Sequence, residues 1–165
     1  MLNLRLALQV LAKHDVEFIV VGGVAVAAHG SSLMTEDLDI VYRLEAGTVR
    51  RLLAALEELD ARVYGDPRDL RFGFDHLYNR GHHFNATRAG RLDALGSLGK
   101  AGDILYEDIE TDAVAVEAFG TTFLCISLDR LIAVKQELGR PRDRVAVMEL
   151  EAIKAIKALK AKHPQ

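Results

Sequence analysis

The sequence predicts an α+β fold, in which a mixed β-sheet is flanked by helices and followed by a helical carboxyl end. Short β-branched runs bounded by glycine and polar residues alternate with segments rich in leucine and alanine. The 165 residues are enough for one hydrophobic core, and no internal repeat or low-complexity linker divides them. We therefore expect residues 1–165 to form a single domain.

The first sixty residues contain the most regular patterns. Asp15 ends a leucine-rich helical segment, Gly22 and Gly23 end a β-branched strand, and Gly30 ends an alanine-rich helix. A second strand is entered through polar residues. The predicted elements are helices at residues 3–14, 24–29 and 47–60, and strands at residues 17–21 and 38–42.

The remainder begins with an irregular stretch at residues 66–80, which contains Pro67 and Gly73 and predicts a long loop or lid. Ser127 is a predicted N-cap for the helix that follows the last strand. The segment 139–141, with its glycine and proline, separates the last two helices. The predicted elements here are strands at residues 82–87, 91–95, 113–118 and 121–126, and helices at residues 128–138 and 142–162.

Composition and charge exclude several classes of protein. The net charge of −3 gives no global attraction to nucleic acid or anionic lipid. Cys125 is the single cysteine and stands in an apolar run, which excludes an internal disulfide and a cysteine-based zinc site. The longest apolar run, residues 18–28, is too short to span a membrane and contains two glycines. With no targeting signal at the amino terminus, a cytoplasmic location is expected.

The acidic residues Asp37 and Asp39 predict a metal site. Side chains two apart in a strand lie on the same face, about 7 Å apart, so these carboxylates repel each other unless a cation lies between them. Magnesium, which prefers oxygen ligands, is the natural partner, and manganese is an alternative. Asp93, which interrupts a short apolar strand, is the candidate third ligand of a two-metal site. The alternative for Asp93 is a turn or edge position.

Gly22 and Gly23 precede these acids at the junction of a strand and a helix. Glycine lets the backbone come close to a ligand, and such a junction directs free amide groups toward an anion. Each signal alone is weak, because Asp-x-Asp is common and a glycine pair is usually a turn. Together they indicate a triphosphate held beside metal-binding carboxylates.

The pattern Val21-Gly22-Gly23 followed by Asp37-Leu38-Asp39 resembles the polymerase-β-like nucleotidyltransferase superfamily. It is most similar to the small bacterial branch of minimal nucleotidyltransferases and abortive-infection toxins, in which a His-Gly pair and a threonine, here His29-Gly30 and Thr35, often stand between the two halves. The resemblance is strong over residues 16–43 and loose over residues 84–150.

That resemblance implies an enzyme of the nucleotidyltransferase fold, with Asp37, Asp39 and Asp93 as its catalytic and metal-binding residues. It would transfer a nucleoside monophosphate from ATP or another triphosphate to an RNA or protein acceptor, releasing pyrophosphate. Lys135 and Arg140 match a downstream basic element and are assigned to the nucleotide with Gly22 and Gly23. For Lys135 the alternative is a lysine favoured near a helix carboxyl end. A toxin–antitoxin partner protein is also implied.

Two departures from the family pattern support an alternative function. Relatives commonly carry a basic residue shortly before the threonine, where this chain has Ser31-Ser32-Leu33-Met34, and many active members carry serine where this chain has Gly23. The alternative is a catalytically inactive nucleotide-binding or antitoxin-like module with the same fold. The adjacent histidines His82 and His83 are not a metal site, because neighbouring side chains of a strand point to opposite faces.

Overall fold

The computed structural model describes residues 1–164 and contains one seven-stranded mixed sheet with seven helices around it. The α+β class is confirmed. The strands are β1 (Phe18–Val21), β2 (Asp37–Tyr42), β3 (Arg62–Val63), β4 (His82–Thr87), β5 (Gly90–Leu95), β6 (Val114–Ala118) and β7 (Thr121–Cys125). The helices are α1 (Leu4–Lys13), α2 (Gly22–Ala28), α3 (Ala46–Glu58), α4 (Phe74–Leu77), α5 (Tyr106–Glu110), α6 (Leu128–Leu138) and α7 (Pro141–Lys162).

The strand order is β3-β4-β5-β2-β1-β7-β6, which places β1 and β2 near the middle of the sheet. The pairs β2–β5 and β1–β7 are parallel, and the other neighbouring pairs are antiparallel. All four residues of β1 are buried, which explains its uninterrupted apolar sequence. On β2, Leu38 and Ile40 are fully buried and alternate with the two aspartates, so one face of this strand packs on the core.

Local sequence explains where α1 begins and where α6 begins and ends. The Asn3 side chain accepts a hydrogen bond from the Leu6 amide at the start of α1, and Ser127 accepts one from Arg130 at the start of α6. Gly139, with φ of 63°, ends α6 in the left-handed conformation that favours glycine. The predicted Ser127 cap and the break before the last helix are therefore confirmed.

The structure differs from the sequence-based prediction in three short elements. The segment 66–80 is not simply a loop, because it contains α4, whose Leu77 is fully buried. The Tyr42 hydroxyl donates to the Leu77 carbonyl at 2.6 Å and fixes this helix to the sheet. The strand β3 and the helix α5 were not predicted. Their two and five residues are too short for a periodic pattern, so tertiary pairing determines them.

No helix among residues 1–164 combines the length and the apolar character needed to cross a lipid bilayer.

Candidate metal centre

The pairing of β2 with β5 brings three aspartates together on one face of the sheet. These strands are parallel neighbours in which Asp39 is opposite Asp93 and Asp37 is opposite Arg91. Each of the three aspartates offers a carboxylate oxygen, and these oxygens all lie within 4.8 Å of one another. The structure thus unites the acids that the sequence had grouped, and their metal-binding and catalytic roles stay predictions.

The proximity of these acids changes their protonation. Burial, followed by the charges of Asp37 and Asp93, raises the pKa of Asp39 to about 7. Burial also raises the pKa of Asp93, although the neighbouring Arg91 acts in the opposite direction. Three carboxylates with one adjacent guanidinium leave an excess of negative charge. Near neutral pH the cluster must therefore either retain a proton or bind a cation.

Arg91 is a member of the cluster that the sequence interpretation missed. Its Nε donates to Asp93 Oδ1 at 3.0 Å and lies 3.9 Å from Asp37 Oδ2. A signal for it was present, because Arg91 stands two residues before Asp93 on the same strand and so shares its face. The guanidinium orients Asp93 and offsets part of the negative charge.

Gly22 leaves space for the Asp39 carboxylate. The residue has φ of +64°, and a β-carbon added there would overlap the Asp39 carboxylate, at only 2.8 Å from its Cγ atom. The helix α2 begins at Gly22 itself, directly after β1, and not after the glycine pair as predicted. The first glycine is therefore required by an acidic side chain of the cluster, in addition to its predicted part in nucleotide binding.

Gly23 leaves corresponding space for Thr35. A β-carbon at position 23 would lie 2.6 Å from Thr35 Oγ1. That hydroxyl is 3.0 Å from both the carboxylate Oδ1 and the main-chain carbonyl oxygen of Asp37, to either of which it donates. Thr35 thus positions Asp37, and its hydroxyl lies where a side chain at position 23 would otherwise stand. The sequence signal was the spacing of two residues that permits a local side-chain hydrogen bond.

Lys135 and Arg140, predicted to bind nucleotide, lie together at the junction of α6 and α7. Both contact Asp143, which is 1% exposed: Arg140 Nε donates at 2.6 Å and Lys135 Nζ lies at 3.4 Å. Burial acts to raise the pKa of Asp143, but these two cations outweigh it and lower the pKa. Within residues 1–164 neither cation is bonded to the three clustered acids. Their role in nucleotide binding stays a prediction.

The single cysteine and the adjacent histidines lie outside the group of three aspartates. Cys125 is fully buried, and burial raises the pKa of its thiol to about 12, which removes it as a nucleophile. His83 is buried, and this burial lowers its pKa to about 4, whereas His82 is exposed on the opposite face. Among residues 1–164 the three aspartates are the one group of acids, histidines and cysteines with metal-binding geometry.

Comparison with known proteins identifies the fold. No family model and no curated protein matches the sequence. The structure, however, is similar to a lincosamide antibiotic adenylyltransferase, LnuA, in its lincomycin-bound form, with a TM-score of 0.59 and 16% identity over 88% of this chain and 92% of that one. The chain has the nucleotidyltransferase fold. The predicted nucleotidyltransferase fold is thus confirmed.

Two further solved structures share this fold. A putative nucleotidyltransferase from Thermotoga maritima matches with a TM-score of 0.57 and 16% identity, over 90% of this chain and 94% of that one. The antibiotic-resistance factor ANT(2'')-Ia matches with a TM-score of 0.51 and 18% identity, over 98% of this chain and 95% of that one. The nucleotidyltransferase fold of this chain therefore extends over nearly its whole length and nearly the whole of each neighbour.

Proposed function

We propose that the protein is a metal-dependent nucleotidyltransferase, which transfers a nucleoside monophosphate from a nucleoside triphosphate to an acceptor hydroxyl. The observation that carries this proposal is the cluster of Asp37, Asp39 and Asp93, in which three carboxylates on paired strands have one arginine to neutralise them. A structural role would be better served by fewer acids, because their mutual repulsion destabilises the folded protein.

The donor set fits magnesium or manganese. Three carboxylates supply hard oxygen ligands, and the raised pKa of Asp39, about 7, indicates a position where added positive charge, from a proton or a metal ion, is stabilised. Asp37 and Asp39 would hold the metal, with Asp93 as the third ligand. When bound, the metal supplies positive charge that stabilises the phosphoryl oxygens and the leaving pyrophosphate.

The residues of the chain then have separate tasks. Thr35 fixes Asp37, and Arg91 fixes Asp93. Asp93 accepts the proton of the acceptor hydroxyl as its oxygen forms a bond to the α-phosphorus. The bond from the α-phosphorus to the bridging oxygen of the β-phosphate breaks, and pyrophosphate leaves with that electron pair. Positioning and electrostatic stabilisation account for most of the rate gain in this class of reaction.

The triphosphate is proposed to lie across the start of α2 and toward the α6–α7 junction. Gly22 and Gly23 allow the triphosphate to come close to the backbone. The Arg140 side chain is half exposed, so it can contact a phosphate while it remains paired with Asp143. Lys135, only 14% exposed in its side chain, would act through charge. ATP as the nucleotide and a toxin–antitoxin partner are proposals supported by the family resemblance of the sequence. The cytoplasmic location expected from the sequence is kept as a proposal.

The acceptor is the least constrained part of the proposal. The sequence resemblance supports RNA or protein, whereas two of the neighbours with this fold are described as an antibiotic adenylyltransferase and an antibiotic-resistance factor. The competing function, an inactive nucleotide-binding or antitoxin-like module, is supported by Leu33 and Gly23 at positions where relatives carry a basic residue and serine. The complete acid cluster favours the enzyme.

The test is pyrophosphate release with each of the four nucleoside triphosphates, magnesium and extracted pools of RNA, protein and small molecules. Asp39→Asn keeps the shape but removes a charge from the site, so the rate should fall about a hundredfold or more. Asp93→Asn should retain triphosphate binding and lose transfer. Asp129→Asn, a surface change at a side chain that is 73% exposed, should behave as wild type. Wild-type turnover no faster than that of Asp39→Asn would establish the inactive module instead.

A further inference from the structure

One strand distributes its polar and apolar side chains in the reverse of the usual way. On β4, His83 and Asn85 are 6% and 1% exposed, whereas Phe84 between them is 41% exposed. A strand with one face on the core and the other in solvent ordinarily buries the apolar residues and exposes the polar ones. The exposed Phe84 ring between two buried polar side chains departs from this pattern and marks a candidate binding surface.

The exposed ring belongs to a cluster beside the three acids. Phe84 is opposite Asp93 in the antiparallel ladder, so both side chains lie on the same face of the sheet. Tyr64, which is 52% exposed, donates its backbone N–H to the Phe84 carbonyl at 2.8 Å. The Arg91 guanidinium lies 4.4 Å from the Tyr64 ring centroid and 5.3 Å from that of Phe84. We call Tyr64, Phe84 and Arg91 the aromatic platform.

Arg91 connects the aromatic platform to the acid cluster. Arg91 stacks on both rings and at the same time donates to Asp93, so the rings, the guanidinium and the acid hold one another in place. Because Phe84 is opposite Asp93 on the same face, a molecule that packs on the rings lies beside this acid. This is the acid whose proposed task is to accept the proton of the attacking hydroxyl.

The charges at this edge of the sheet argue against a polyanionic occupant. Binding of a nucleic acid depends on lysines and arginines that are free to neutralise phosphates. Four arginines of β3, of residues 64–73 and of β5 are instead paired with carboxylates: Arg62 with Asp60 and Asp69, Arg68 with Asp66, Arg71 with Asp60, and Arg91 with Asp93. Within residues 1–164, Arg80 and Arg88, on either side of β4, are not paired with a carboxylate. The platform therefore suits a ring without phosphate groups.

From these observations, and resting on the proposed nucleotidyl transfer, we infer that the aromatic platform binds the acceptor. The acceptor is a small hydroxyl-bearing molecule with an aromatic or apolar ring face and no anionic group. Its ring packs on Tyr64 and Phe84, and its hydroxyl reaches the carboxylate of Asp93. An RNA end is disfavoured by the paired arginines, and a second copy of the chain would have to cover the approach to the acid cluster.

The experiment uses two matched probes, phenyl β-D-glucoside and methyl β-D-glucoside. They carry the same sugar hydroxyls and differ only in the group on the anomeric oxygen, which is a phenyl ring in one and a methyl group in the other. Their affinities are measured by NMR titration of the full chain, with and without magnesium and α,β-methylene-ATP. Stacking on two rings should make the phenyl compound bind about fivefold tighter or more. Shifts of the Arg91 Nε–H signal should accompany binding.

Substitutions in the platform test whether its two rings cause the tighter binding of the phenyl compound. Tyr64→Ala and Phe84→Ala, singly and together, should reduce or remove the difference between the two glucosides, and their melting temperatures report whether the fold persists. The matched control is Phe119→Ala. Phe119 is also a phenylalanine stacked on an arginine, 37% exposed and 5.4 Å from Arg5, but it lies at the turn between β6 and β7. This control should leave the ring preference unchanged.

Each contrary result has its own meaning. Equal affinities for the two glucosides, or a preference that survives the double variant, would overturn the platform. An RNA hexanucleotide that displaces the phenyl compound and loses affinity in the double variant would identify a nucleic-acid acceptor instead. A concentration-dependent dimer abolished by Tyr64→Ala would identify a self-association surface. Failure of the proposed function is separable, because it appears as absence of magnesium–nucleotide binding in the same titrations or as absence of pyrophosphate release in the turnover assay.

Discussion

Asp93 and Asp143 are both almost completely buried, at 3% and 1% exposure, but their surroundings are opposite in charge. Asp143 lies against Arg140 and Lys135, and its pKa is lowered. Asp93 has Arg91 on one side but lies within reach of two other carboxylates, and its pKa is raised. Two buried aspartates in one chain are thus in opposite electrostatic states.

The difference separates a structural acid from a functional one. The negative charge of Asp143 is already neutralised by the two cations beside it. This acid therefore stabilises the α6–α7 junction through its hydrogen bonds with Arg140. A cluster in which acids outnumber cations is destabilised unless an external cation binds. This comparison makes charge balance around each acid, and not burial alone, the criterion for the site.

Removal of charge should have opposite consequences at the two places. Asp143→Asn leaves Lys135 and Arg140 without their partner and should lower the free energy of unfolding by about 3 kcal/mol. Asp93→Asn removes one of three mutually repelling charges and should change the metal-free protein by less than about 1 kcal/mol. Urea unfolding at pH 7.5 with a chelator measures both. Similar losses in the two variants would end the distinction.

The pH dependence of stability should also distinguish the acid cluster, through Asp39, from Asp143. The pKa of Asp39 is about 7 in the folded protein, against about 3.9 when unfolded. Between these values the folded state binds the additional proton, so the stability of the metal-free protein falls as pH rises from about 4 through 7. Because the carboxylate is partly exposed, we expect a loss of about 2 kcal/mol.

The lowered pKa of Asp143 has the opposite sign, because its stabilisation is present above the unfolded pKa and is lost as pH falls. Denaturant unfolding between pH 5 and pH 8, with a chelator, is therefore compared between wild type and Asp39→Asn. The comparison is needed because buried His83, whose pKa is lowered to about 4, acts in the opposite direction below about pH 6.5, and Asp93 acts in the same direction. Asp39→Asn should flatten the decline over this range. A decline that persists in Asp39→Asn would assign it to another group.

The glycine before the acids offers a matched pair of substitutions. Gly22 and Gly120 both have positive φ, +64° and +74°, but an added β-carbon meets Asp39 at Gly22 and nothing within 4 Å at Gly120. Gly120→Ala should cost about 1 kcal/mol through backbone strain alone. Gly22→Ala should cost about 2 kcal/mol, because Asp39 must also move. Equal unfolding free energies would mean that Gly22 is required by its backbone conformation only.

Removal of the Thr35 hydroxyl should cause the smallest of the expected losses of stability. Thr35→Ala removes a hydrogen bond to Asp37 and should cost about 1 kcal/mol, whereas Thr35→Ser should retain it. Gly23→Ser alone crowds Thr35, and the double variant Gly23→Ser with Thr35→Ala should recover part of the loss by supplying a hydroxyl from the other side. Additive losses in unfolding experiments would show that the two positions are independent.

The sequence was sufficient to predict the acid cluster because that cluster depends on local rules. The two-residue period of a strand placed Asp37 and Asp39 on one face, and an aspartate in an apolar strand marked Asp93. The pairing of Asp39 with Asp93, and the entry of Arg91 between the acids, depend on strand register. Register joins distant segments, and composition and periodicity do not reveal it.

Other parts of the molecule could not be predicted, for related reasons. The joint contact of Lys135 and Arg140 with Asp143 depends on how α6 and α7 pack together, and sequence spacing does not show this packing. The inverted pattern of β4 can be found only when burial is known, since His83 and Asn85 look like surface residues in a sequence. The glycine pair was assigned to nucleotide, and its contacts with Asp39 and Thr35 are tertiary.

The central claim, that Asp37, Asp39 and Asp93 form a divalent metal site, is tested most directly by calorimetric titration of manganese into the metal-free protein at pH 6.5. Two buffers with different ionisation heats also report proton release. We predict saturable binding with release of a proton, because the metal displaces the proton of Asp39. Asp39→Asn should bind at least about tenfold more weakly and release none, and Asp129→Asn should match wild type. Binding that is absent in wild type, or equal in wild type and Asp39→Asn, would contradict the account.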